Sequence, residues 1–186
     1  SSSAIMKSNN NIDKSKYLQP SGSIGVNLAH AWYAIDPENN LPNTQHTMKE
    51  FLQPYSEKYS WNGYIGEIPS ESCVRCRHDE SSLFIFCGHG AGEKVCDLSK
   101  LKKCYCPAAL LWGCSSGHLP AKGVHDPNGA ALQYLSSGAP YVIANLWDVT
   151  DKDIDKLSVE CMRILFHTAE QSGLDKTKTT RSVGLL

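Results

Sequence analysis

The sequence predicts an α/β domain with a mostly parallel central sheet and helices on both faces. Three observations carry that reading. Ser82-Leu83-Phe84-Ile85-Phe86-Cys87 is a continuous apolar run that stops at Gly88-His89-Gly90, the pattern of a strand buried on both faces. Cys106 to Trp112 is a second such run, stopping at Gly113-Cys114-Ser115-Ser116-Gly117. Strand-like runs alternate along the chain with stretches of helical period, as in sheets whose parallel strands are joined by helices.

The elements follow in order. Residues 1–27 are rich in Ser, Asn, Gly and Lys with a Pro20-Ser21-Gly22 breaker, and read as a partly ordered lead-in to a domain over 28–186. Ala29 to Ile35 reads as a first strand, ended by Asp36-Pro37 and the turn formers Asn39-Asn40. Thr44 to Lys58 carries Met48, Phe51, Leu52 and Tyr55 at helical steps, with Pro54 predicting a kink or an early end. Trp61 to Ile68 reads as a short second strand, whereas Pro69 to Ser82 is too polar and mixed to assign a helix. After the two apolar runs come a helix from Asn128 to about Ser137 and a third buried strand from Tyr141 to Trp147. Thr150 then caps a last helix, whose first turns carry Asp151, Asp153 and Asp155 where the helix dipole favours anions.

Composition narrows the class. With 18 Lys+Arg against 19 Asp+Glu the net charge is −1, which is not the basic balance of a nucleic-acid-binding domain. No apolar run reaches the roughly 18 residues of a membrane span, and Ser1 to Asn11 lacks the apolar core of a secretory signal. Eight cysteines without that signal point to a reducing compartment, cytoplasm or nucleus, and to mostly free thiols.

The chemistry gathers at the ends of the two apolar runs. In parallel sheets the working groups lie outside the carboxyl ends of the strands. Neighbouring strand ends there would bring together His89 and Cys114. A cysteine is a strong nucleophile as its thiolate, and an imidazole beside it can take the proton and return it to a leaving amine. Flanking glycines allow sharp turns, and backbone N–H groups at Gly90 and Cys114 are candidate donors to an oxyanion. Such a site needs no metal or organic cofactor.

At these residues the chain resembles the catalytic domain of separase, a caspase-fold endopeptidase that opens the cohesin ring at anaphase. The resemblance rests on Phe-Cys-Gly-His-Gly-Ala-Gly at 86–92, Leu-Leu-Trp-Gly-Cys-Ser-Ser-Gly at 110–117 and Asn-Leu-Trp-Asp-Val-Thr-Asp-Lys-Asp-Ile-Asp at 145–155. Trp32 to Pro37, Leu41 to Gln45 and Trp61 to Gly66 extend it, so that it covers roughly residues 30–165. It implies a caspase-like three-layer sandwich, His89 as catalytic histidine, Cys114 as nucleophile and cleavage after arginine. It further implies the cohesin kleisin subunit as substrate, a securin-like inhibitory partner and work in the cytoplasm and nucleus. An arginine pocket needs a carboxylate in bidentate geometry, and Asp155 and Asp148, with Asp151 third, are the candidates. The chain departs from the family's pattern at 69–82, at 92–104 and at Trp112, where Met is common.

Two other readings compete. Cys73-x-x-Cys76 with Cys104-x-Cys106, and His78 or Cys96 in reserve, has a partial likeness to a zinc site, although the second spacing is unusual and Pro107 constrains it. A caspase-fold module that only binds partner peptides, or cuts with another specificity, would share the fold.

Overall fold

The computed structural model describes residues 27–97, 106–120 and 129–172. Nine elements follow one another: β1 (Ala31–Ile35), α1 (Pro42–Tyr59), β2 (Asn62–Ile65), α2 (Glu71–Glu80), β3 (Leu83–Cys87), β4 (Ala108–Trp112), α3 (Ala130–Ser136), β5 (Val142–Ala144) and α4 (Asp151–Ser172). The five strands form one sheet in the order β2-β1-β3-β4-β5, and every pair is parallel. All carboxyl ends therefore share one edge. The strand order reverses direction beside β1 and β3, and the crevice outside such a reversal is where α/β sheets place ligands.

Strand periodicity sorts the side chains into two cores. Ala31 and Ile35, Leu83, Ile85 and Cys87, and Ala108, Leu110 and Trp112 face one layer, filled by Met48 and Leu52 of α1 and by Ile154, Met162 and Phe166 of α4. Trp32 and Ala34, Phe84 and Phe86, and Ala109 and Leu111 face the other, closed by Val74 of α2 and Tyr134 of α3. Burial on both faces explains why β3 and β4 read as unbroken apolar runs: each is fully buried along its length. Each large side chain so buried contributes on the order of 1.5–3 kcal/mol. The result is the three-layer α/β sandwich that the sequence predicts.

Four local expectations change. Residues 71–80 form a helix, capped by Ser70, whose hydroxyl accepts from Cys73 N at 3.3 Å. Helix α1 runs through Pro54, which lies on its exposed side. β2 ends at Ile65 rather than reaching Ile68. β5 is three residues long and half-buried, because as the edge strand it has a neighbour only in β4. The lead-in at 1–26 and Cys104 lie outside the described residues.

Among the described residues, which leave out Cys104, the zinc reading finds no assembled ligand set. Cys73 and Cys76 sit on α2, where the Cys76 thiol donates to Glu80 at 3.3 Å, while Cys106 is buried beside the sheet. Among the described residues no three His, Cys, Asp or Glu side chains gather as metal ligands. Among them, too, no helix is long and apolar enough to cross a membrane.

Candidate active site

The turns after β3 and β4 pack directly on one another. Cys87 pairs with Trp112, and Gly88 N donates to Trp112 O at 3.3 Å. A Cβ on Gly113 would lie 1.9 Å from Gly90 O and 2.5 Å from Gly88 O, so only glycine fits there. This contact brings together the turns that carry His89 and Cys114. His89 is exposed at the sheet edge and Cys114 is half-buried. In this structure the Cys114 thiol donates to Val149 O at 2.8 Å, and His89 Nε2 lies 3.0 Å from Asn40 Oδ1.

The nucleophile turn is locked by its own serines. Ser115 takes a left-handed φ of 51°, and its N–H donates to Trp147 O at 3.1 Å. The Ser116 hydroxyl donates to Leu111 O at 2.6 Å and accepts from Asn145 N at 3.0 Å, while Asn145 Nδ2 donates to Gly113 O at 3.1 Å. Ser116 and Asn145 are both buried, so these bonds are shielded from water and costly to break. The residues next to the two candidate oxyanion donors, Gly90 and Cys114, are committed: Ala91 N donates to Glu93 at 3.0 Å and Ser115 N to Trp147.

The three acidic candidates separate. Asp155 is only 8% exposed, and its Oδ2 accepts from the Thr44 hydroxyl at 3.0 Å. It lines a cleft of about 960 Å³ between the start of α1 and the first turns of α4, with Asn40, Thr44, Asp151 and Lys152 among the other walls. Burial pushes its carboxyl above the usual carboxylate range; the Thr44 bond pulls it down and the nearby Asp151 charge raises it. Asp151 is exposed on the same wall. Asp148 is not in that lining; it accepts from the Ser115 hydroxyl at 2.6 Å and so braces the turn beside the thiol.

Asn40, Asp36, Ser116, Asn145 and the exposed Leu146 and Trp147 complete the surroundings; the last four stand in the stretches that carry the resemblance, but the sequence assigns none of the six a role at the site. Asn40 belongs to a turn that reads only as a strand stop. The apolar Leu146 and Trp147 read as strand interior, yet they are 56% and 74% exposed beside the Cys114 turn.

A five-stranded parallel sheet between two helical layers, with all its carboxyl strand ends at one edge, is an architecture of the caspase-like α/β class. Comparison with known proteins gives the family. The separin protease-domain model matches residues 2–154. Over 135 residues, 72% of this chain, the sequence is 39% identical to mouse separin, and over 129 residues, 68% of the chain, it is 39% identical to that of Saccharomyces cerevisiae. The structure matches the S. cerevisiae separase in its crystallised complex with securin with a TM-score of 0.67 and 34% identity, over 72% of this chain and 9% of the yeast chain. The chain belongs to the separin protease-domain family. It spans 6% of the length of the mouse relative and 8% of the yeast one.

Proposed function

We propose that the chain is the catalytic domain of a separase, a cysteine endopeptidase that cleaves after arginine with Cys114 as nucleophile and His89 as acid and base. The observation that carries this reading is the packing of the two strand-end turns through Gly113, which sets the cysteine and the histidine at one edge of a rigid sheet.

The reaction follows from the residues. His89 takes the thiol proton as Cys114 Sγ attacks the substrate carbonyl carbon; the carbonyl π electrons move to oxygen, facing the amides of Gly90 and Cys114. As the oxyanion collapses, the C–N bond breaks and the imidazolium gives its proton to the leaving amine. Water, deprotonated by His89, then attacks the acyl-enzyme, and the thiolate leaves. Asp155 supports the arginine preference, since a buried carboxylate in a cleft gains most from a guanidinium that replaces its lost hydration. Asn40 lines that cleft and also meets His89, which joins pocket and base. Asp151 stands at the same cleft, and Asp148 serves the turn.

The proposed substrate is the kleisin subunit of cohesin, and the proposed regulator is a securin-like protein, as in the yeast complex that the fold resembles. Cys73, Cys76, Cys87, Cys114 and Cys161 are free thiols, which supports work in the reducing cytoplasm and nucleus.

An arginine acyloxymethyl ketone tests the reading. The expected result is a single labelled residue, Cys114, with labelling abolished by Cys114→Ser and reduced at least about a hundredfold by His89→Ala, since general acid–base help is worth roughly 10²–10⁴. Labelling elsewhere, or unchanged in either variant, overturns it.

A further inference from the structure

We propose that Asn40 is the orienting partner of His89 and that Asp36 is the clamp that holds Asn40 in place, fixing the imidazole as its Nε2–H tautomer and leaving Nδ1 to exchange protons with Cys114. The proposal rests on the protease reading above.

The contacts form a closed circuit. Asp36 is 1% exposed, although it directly follows β1, and its backbone takes a left-handed φ of 44° that non-glycine residues rarely adopt. Its carboxylate accepts three hydrogen bonds: from Asn40 N at 3.1 Å, from Leu41 N at 2.8 Å and from Gln45 Nε2 at 2.6 Å. Its own N–H donates to Cys87 O at 2.6 Å, two residues before His89. The loop after β1 is thereby pinned both to the end of β3 and to the N-terminus of α1, whose dipole favours the carboxylate. From that loop Asn40 Oδ1 reaches His89 Nε2 at 3.0 Å.

An amide oxygen only accepts, so the Nε2 it meets carries the proton. The basic nitrogen is then Nδ1. In the reaction, Nδ1 receives the proton from Cys114 Sγ, the imidazolium keeps Nε2–H on Asn40, and Nδ1–H protonates the leaving amine. In acylation one proton moves from sulfur through Nδ1 to the amine, in deacylation a second moves from water through Nδ1 to the departing thiolate, and the Asn40 bond is kept in both. An amide is suited to this task because it orients the ring without adding a charge; a carboxylate would favour the imidazolium and so leave less of the ring in the neutral form that accepts the thiol proton. Asn40 and Asp36 are thus positioning residues.

The test is ¹⁵N-histidine NMR of the chain, read beside the pH profile of Cys114 alkylation by chloroacetamide. The wild type is expected to show His89 as the Nε2–H tautomer. Asn40→Ala, at an exposed position, is expected to keep the fold, mix the two tautomers and slow alkylation about fivefold, the worth of one hydrogen bond. Asn40→Asp is expected to restore the single tautomer and move the alkylation profile to higher pH. Asp36→Asn is expected to reproduce part of the Asn40→Ala loss. Should that variant fail to fold by circular dichroism, Gln45→Leu, which removes one of the clamp's three partners, takes its place with the same expectation. A wild-type Nδ1–H tautomer, or an Asn40→Ala variant with unchanged tautomer and profile, overturns the proposal. Absence of arginine-probe labelling together with an intact Nε2–H tautomer would instead overturn the protease reading and leave the orienting contact standing.

Discussion

The Thr44 hydroxyl donates to Asp155 across 3.0 Å, joining the first turn of α1 to the second turn of α4 at the base of the cleft. Burial raises the folded-state carboxyl above its ordinary value, because the charged form loses part of its hydration there, which a cation in the cleft would replace.

Asp155→Asn therefore has two opposite effects. A raised carboxyl means that the folded chain binds more protons than the unfolded one above the ordinary carboxylate range, so stability falls as pH rises through the folded value. Asn keeps an acceptor for Thr44 and removes the buried charge. The variant is expected to melt higher than wild type at pH 7 and at no higher temperature near pH 3. On arginine probes it is expected to lose selectivity over norleucine probes, while Asp148→Ala keeps that selectivity. Calorimetry at the two pH values and competitive labelling check both halves.

How far the sequence already shows this differs by element. The strands β3 and β4 are legible because burial on both faces writes itself as an unbroken apolar run, and the glycines of their terminal turns mark the site. Helix α2 is not, because only Val74 and His78 of its ten residues are buried, too few to make a visible stripe. Its Ser70 cap was the available signal. The edge position of β5 depends on strand order, which no local pattern records. The contact of Asn40 with His89 and the Thr44–Asp155 bond join residues far apart in sequence, and the Asp36 clamp, though local, uses polar turn residues that look alike until the fold sets them in place.

Buried His78 gives a second pH dependence, of the opposite sign. Its Nδ1 lies 3.1 Å from Val74 O, its Nε2 lies 3.5 Å from the Cys96 thiol, and Trp32 and Phe84 pack around the ring. Burial lowers its pKa to about 4 from 6.5. Between these values the unfolded chain binds the extra proton, so the contribution is complete above pH 6.5 and is lost as pH falls toward 4. At about 1.4 kcal/mol per unit, roughly 3 kcal/mol disappears by pH 4. His78→Phe is expected to flatten the urea midpoint against pH over that window.

Gly113 and Gly90 separate crowding from strain. At Gly113 an added methyl meets the backbone oxygens of Gly90 and Gly88, which cannot move without parting β3 from β4. Gly113→Ala is expected to destabilise by roughly 2–4 kcal/mol and to abolish Cys114 labelling. At Gly90 the same methyl lies 3.1 Å from the end of the Glu93 side chain, which can swing away, so the cost is the φ of +64°. Gly90→Ala is expected to cost about 1–2 kcal/mol. Equal losses in the two variants, measured by urea denaturation, would contradict the packed-turn account.

The segment 145–149 runs along the nucleophile turn, held by Gly117 N on Asn145 O at 2.8 Å and Ser115 N on Trp147 O at 3.1 Å. Its backbone is thus fixed to the nucleophile turn, while Leu146 and Trp147 are exposed. An exposed indole on a fixed backbone beside the nucleophile turn is a surface on which a peptide can bury apolar area. Trp147→Ala is expected to leave labelling by a single-residue arginine probe within about twofold. Labelling by a probe with apolar residues preceding the arginine should weaken about tenfold, through binding, since an indole of this size contributes on the order of 1.5 kcal/mol when covered. A matching loss on both probes would place Trp147 in the support of the turn and remove it from the substrate surface.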